Sequence, residues 1–181
     1  MGYNAVTTHF SKYARESWGM AGGNYAMVLM VAQAGAILTY IPVGMIAARV
    51  GRKRTIQIGC LLLAGSFGSA ILFHSFSWML FGFFALAGVA WAFINVNSYP
   101  MVVEMSRGAD VGKYTGYYYT FSMSAQILTP ILSGWLMEHV GYHTLFPYAA
   151  LCVVGSFVTM CFVRHGDAKP VPVKNKLEAF D

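Results

Sequence analysis

From Trp78 to Val103 the chain runs 26 residues without one charged side chain, and any fold it adopts must first house that stretch. A helix needs about 20 mainly apolar residues to cross the hydrocarbon core of a bilayer. The run is therefore long enough to span. Four companions are legible, at about 25–48, 56–73, 114–137 and 144–163, each bounded by polar or turn-forming residues. Residues 1–14 carry a shorter apolar and small-residue run, a partial transmembrane helix rather than a full one. Asn4, Thr7, Thr8 and Ser11 share one of its faces, a surface suited to other helices or a wet cavity. Its position reads as the remainder of a helix whose start lies outside the chain. The expected fold is an all-α membrane protein with five full transmembrane helices, a partial N-terminal helix and a flexible tail over 164–181. At 57% hydrophobic and 10% charged the composition excludes an ordinary soluble domain, where the charged share is about 25%.

Orientation comes from the turn between the first two full runs. Arg49, Arg52, Lys53 and Arg54 put four cations into six residues, and such clusters stay on the cytoplasmic side. Counted by alternate sides of the membrane, ten Lys and Arg fall on the side of this turn and two, Lys12 and Arg15, on the other. The C-terminus is accordingly expected in the cytoplasm and the protein in the cell membrane, multi-pass. The net charge of +5 belongs to this topology. No aromatic platform is interleaved with the basic residues, so nucleic acid is not an expected partner.

Catalytic and metal chemistry find no footing. The sequence has no nucleophilic triad pattern and no phosphate loop. Cys60, Cys152 and Cys161 sit inside apolar runs and read as small hydrophobes. His139 and His143 have the spacing of two ligands but flank a turn with no third ligand near, while His9 lies on the partial helix within reach of a cavity. The chain is not expected to be an enzyme or to hold a cofactor.

Gly44-x-x-x-Ala48-Arg49-x-Gly51-Arg52-Lys53-Arg54 resembles the signature loop of the major facilitator superfamily, with Ala48 where that pattern carries an acid. The resemblance covers essentially the whole chain and implies helices seven to twelve of a twelve-helix transporter, the seventh truncated. Within the superfamily, Trp91-Ala-x-x-Asn95-x-x-x-x-Pro100, Glu104 and Gly112-Lys-Tyr-Thr-Gly116 are similar to glycoside, pentoside and hexuronide cation symporters and to sucrose transporters. The loop's parts have intelligible roles: Gly44 lets neighbouring helices approach, Gly51 permits a tight turn, and Arg49, Arg52 and Lys53 pair with acids to hold a cytoplasmic gate. Glu104 is the expected partner of Arg49 or Arg52.

Substrate contacts must come from helix faces, because the fold hosts many solutes. Gly88, Trp91, Asn95 and Tyr99 form one stripe at helical spacing. A ring can cover the apolar face of a pyranose while an amide donates to and accepts from hydroxyls. Trp91 serves equally as a packing ring and Asn95 as an interhelical hydrogen-bonding residue. The next run repeats the pattern with Tyr119, Ser122, Gln126 and Ser133. Pro100 and Pro130 free the carbonyls of Val96 and Gln126 beside these stripes. Asn97, on the opposite face, is expected to bond a neighbouring helix. Gln33 faces the same way as Tyr40 and Gly44, and Asn4 completes the candidate pathway.

The resemblance implies alternating access between two six-helix halves, so the expected function is transport of a small polar solute, a sugar, as part of a cation-coupled symporter. The chain is then a C-terminal fragment whose partners are the bilayer, the solute and a complementary N-terminal half. The coupling ion would be a proton or sodium. Its site is not identified here, since no carboxylate lies within a span. Two alternatives stay open: half of a drug or metabolite exporter, and a non-transporting remnant.

Overall fold

The computed structural model describes residues 1–20, 23–106 and 110–164, and among these it contains helices and no strand. The order is α1 (Gly2–Trp18), α2 (Asn24–Val50), α3 (Arg52–Ile71), α4 (Met79–Met105), α5 (Val111–His139), a 3₁₀ turn (Tyr142–Thr144) and α6 (Leu145–Phe162). Arg107 and the tail beyond Arg164 lie outside the described residues.

Among the described residues four elements are long and apolar enough to cross a membrane: α2, α3, α4 and the segment Tyr142–Phe162. The fifth expected span, α5, is not among them. At 29 residues it is the longest helix, but its run of tyrosines, serines and threonines dilutes its apolar character. It is also the least embedded, burying only Thr129, Ser133 and Met137. The partial helix is the opposite case. Of its 17 residues α1 buries eight, and Phe10, Tyr13 and Trp18 join Phe84 and Phe146 in a ring cluster with centroids 4.7–6.3 Å apart. Such offset and edge-on pairs add to the burial of their large surfaces.

Small residues set the central spacing. A Cβ at Gly88 of α4 would overlap the Ala32 carbonyl of α2, and one at Gly35 would lie 2.8 Å from the Ala85 carbonyl. On the other side of α4, a Cβ at Gly59 of α3 would sit 2.7 Å from Cβ of Phe93. Without a strong hydrophobic drive between helices in lipid, close backbone approach supplies dispersion contact instead. Gly44 does not have this role, since a Cβ there would meet nothing within 4 Å. Asn97 also departs from expectation. It is buried at the α4 core but donates to the Phe93 carbonyl of its own helix at 2.9 Å, leaving Oδ1 without a partner.

Gly51, at φ 99°, is the single residue between α2 and α3. Only glycine enters that region of backbone space without strain, and the turn costs the chain no further length. It brings the basic residues at the start of α3 against the ends of α4 and α6.

Candidate functional site

Two groups of residues draw functional attention, one at the basic end of the bundle and one between α1, α4 and α5. At the basic end Arg52 Nε lies 2.6 Å from Glu104 Oε1, with side chains 30% and 23% exposed. Shielding of that degree makes the pair more than a surface contact, whose worth is typically below 1 kcal/mol. Of the two partners expected for Glu104, Arg52 is the one the turn delivers. Arg49 is exposed. Lys53 takes a course that sequence reasoning missed: its Nζ donates to the carbonyls of Cys161 at 3.2 Å and Val163 at 2.7 Å. Those oxygens close α6, where the helix dipole favours a cation. The first two residues of α3 therefore bind two other helices.

The second group encloses a chamber of about 430 Å3 lined by α1, α4 and α5, within the usual range of small-molecule sites of about 300–1,000 Å3. Asn4, Trp91, Asn95, Ser122 and Gln126, expected from three separate stretches, line it together, and Thr7, Ser98 and Tyr118 add hydroxyls. Tyr99, Tyr119 and Gln33 do not line it. Tyr99 turns aside to Thr115 at 3.4 Å and packs with Tyr118 and Tyr119 at centroid distances of 5.6 and 5.8 Å. Gln33 is exposed on α2.

Trp91 packs against another helix and also borders the chamber. One ring face is covered by Tyr3, stacked at 4.4 Å and 7°, while the residue still lines the chamber. Tyr3 was not singled out from sequence. Its hydroxyl is buried with no hydrogen-bond partner. Behind this stack a second, more apolar cavity of about 360 Å3 lies between α1, α3, α4 and α6, with Ile56, Leu63, Met101 and Met160 among its walls.

The seam between α1 and α5 forms around Pro130. Asn4 Nδ2 donates to the Gln126 carbonyl at 3.3 Å, the oxygen that proline leaves without its helical donor. One turn on, His9 Nε2 is 3.0 Å from the Pro130 carbonyl. At the far end Lys12 Nζ bonds Glu138 Oε1 at 3.1 Å, and that hydrogen bond holds the Glu138 carboxyl below the usual carboxylate range. A pair of freed and shared carbonyls thus receives polar side chains beside the chamber. No group of three or more His, Cys, Asp or Glu that could hold a metal occurs among the described residues.

The family model for the Major Facilitator Superfamily matches residues 1–180. The chain belongs to the major facilitator superfamily. A comparison with curated proteins finds no match. Superfamily members are transporters rather than enzymes, and with four apolar helices this one is a multi-pass membrane protein whose function is membrane transport.

Proposed function

We propose that this superfamily member is the C-terminal half of a sugar:cation symporter, with the chamber between α1, α4 and α5 as its share of the solute pathway. The carrying observation is the convergence of three amides, Asn4, Asn95 and Gln126, with the rings of Trp91 and Tyr118 around one volume. Amides and hydroxyls match the alternating donors and acceptors of a sugar, and a ring face suits its C–H surface. Asn4 begins the pathway and a complementary N-terminal half closes it.

The second, apolar cavity favours one alternative, an exporter of amphipathic compounds. Labelled-sugar uptake by cells producing this chain together with a complementary N-terminal half separates the two. Asn95→Ala and Gln126→Ala should each lower uptake at least about fivefold, the cost of leaving a buried polar partner unpaired. Unchanged uptake in both variants removes the sugar reading, and efflux of an apolar dye in place of uptake supports the exporter.

A further inference from the structure

The apolar cavity behind the Tyr3–Trp91 stack offers little to a polar solute. Its two serines give their hydrogens to their own helices, Ser98 Oγ to the Ile94 carbonyl at 2.6 Å and Ser156 Oγ to the Cys152 carbonyl at 3.0 Å. Ile56, Cys60, Leu63, Met101 and Val153 supply buried apolar walls. Water finds too few partners in such a space, and walls that face a void forfeit dispersion contact. The volume of about 360 Å3 therefore calls for an apolar occupant.

Depth and charge narrow the choice. Followed along α6 from Val153 to Val163, the wall runs about 15 Å at 1.5 Å per residue. That is half of the roughly 30 Å hydrocarbon core, the depth of one leaflet. Ser156 on α6 and Met105 at the end of α4 are exposed parts of the wall, so a chain can enter from the surrounding lipid. At the same end cations gather. Lys53 Nζ is held on the carbonyls of Cys161 and Val163 at 3.2 and 2.7 Å, and Arg164, exposed, follows Val163 directly. Arg52, one turn before Ile56, lies 2.6 Å from Glu104, so the carboxylate next to Met105 is already compensated. The mouth keeps the positive charge of Lys53 and Arg164.

We propose that this cavity holds one acyl chain of an anionic phospholipid from the leaflet at the basic end, with the lipid phosphate against Arg164 and Lys53. Basic pockets between transmembrane helices suit such headgroups, and the slot below takes the tail. A soluble anion would leave the slot empty, and a neutral lipid would gain nothing from the charge. Tyr3, Trp91, Ser98 and Tyr118 border the solute chamber as well, so the lipid tail is a packing element behind the chamber's aromatic wall. The assignment does not depend on the sugar reading.

Native mass spectrometry of the whole chain in detergent, titrated with dioleoyl phosphatidylglycerol or dioleoyl phosphatidylcholine, tests the site. The first phosphatidylglycerol should bind at least about fivefold more tightly than the first phosphatidylcholine, the scale of one basic contact. Arg164→Gln should remove most of that preference. Ser156→Phe, which puts a ring into the cavity from an exposed position, should weaken the first lipid of either kind by about tenfold or more, as exclusion of a few methylenes implies. Glycerol 3-phosphate, a headgroup without chains, should not compete at equal concentration. Equal affinity for the two lipids, an unaffected first lipid in Ser156→Phe, or displacement by glycerol 3-phosphate overturns the proposal. A second measurement leaves the cavity unblocked. Of the four tryptophans only Trp91 borders the cavity, so one equivalent of phosphatidylglycerol with brominated chains should quench fluorescence in the unsubstituted chain and fail to do so in Trp91→Phe. Equal quenching in both overturns the placement of the tail.

Discussion

Individual residues differ in what they contribute even where their chemistry matches. Gly88 and Gly44 are both helical glycines, but only Gly88 meets a neighbouring backbone. Gly88→Leu should destabilise the α2–α4 contact by about 1–3 kcal/mol or more, the cost of overpacking. Gly44→Leu should fall within about 0.5 kcal/mol, as at open surface positions. Thermal melts of the two variants in one detergent compare them. The Arg52 pair is tested in the same assay: Glu104→Arg should lower stability, and adding Arg52→Glu should restore a coupling of about 1 kcal/mol. At the far end, ¹³C-labelled Glu138 should titrate below the ordinary carboxylate range and return to it in Lys12→Met. A depressed carboxyl contributes its stabilisation above the unfolded value and loses it as pH falls through the depressed one. This exposed pair is therefore intact at neutral pH and released only in acid.

At the scale of the helix, embedding and polarity run in opposite directions between α1 and α5. The first is short and buried on its aromatic face; the second is long and buries nothing before Thr129. Amide exchange at 111–128 should accordingly be faster than in α3 or α4 when this chain is studied alone, since protection follows buried contact. Equal protection along all helices would show α5 packed in a way the described contacts do not provide. The sequence made the spans, the Gly51 turn and the Glu104 partner readable, because each rests on composition or spacing along one segment. The stripe residues Asn95, Ser122 and Gln126 were readable for the same reason. Tyr3 over Trp91, Lys53 on the last carbonyls of α6 and His9 on Pro130 were not, because each joins residues more than 80 positions apart in partners that periodicity does not specify. A signal did exist for another contact, Asn4 on Gln126: Pro130 announced that carbonyl as an acceptor in need of a donor, though not which side chain would supply it. The polar sequence of α5 had two readings, a span with a solute-facing stripe or a helix too hydrophilic to be one. Its length supported the first, while its composition set it apart from the four apolar helices.

For the molecule as a whole, the surface left by these helices is broad and apolar, with Met30, Ile37, Leu38 and Ile41 of α2 and Phe121, Ile127 and Ile131 of α5 among its exposed side chains. Lipid covers such surface in a multi-pass protein, and a complementary half is proposed to cover part of it. Membrane-impermeant amine labelling of intact cells should leave Lys53 unmodified and reach it after permeabilisation, as the asymmetry of ten against two basic residues predicts. The one-residue junction at Gly51 has a further consequence. Each residue advances a helix by about 100°, so one amino acid inserted between Gly51 and Arg52 would shift the side chains meeting α4 and α6 by one position. Arg52 and Lys53 would swing to new azimuths together, and three helices would lose their common fastening through a change that alters no existing side chain. Length at this junction is thus under tighter control than the identity of most residues around it.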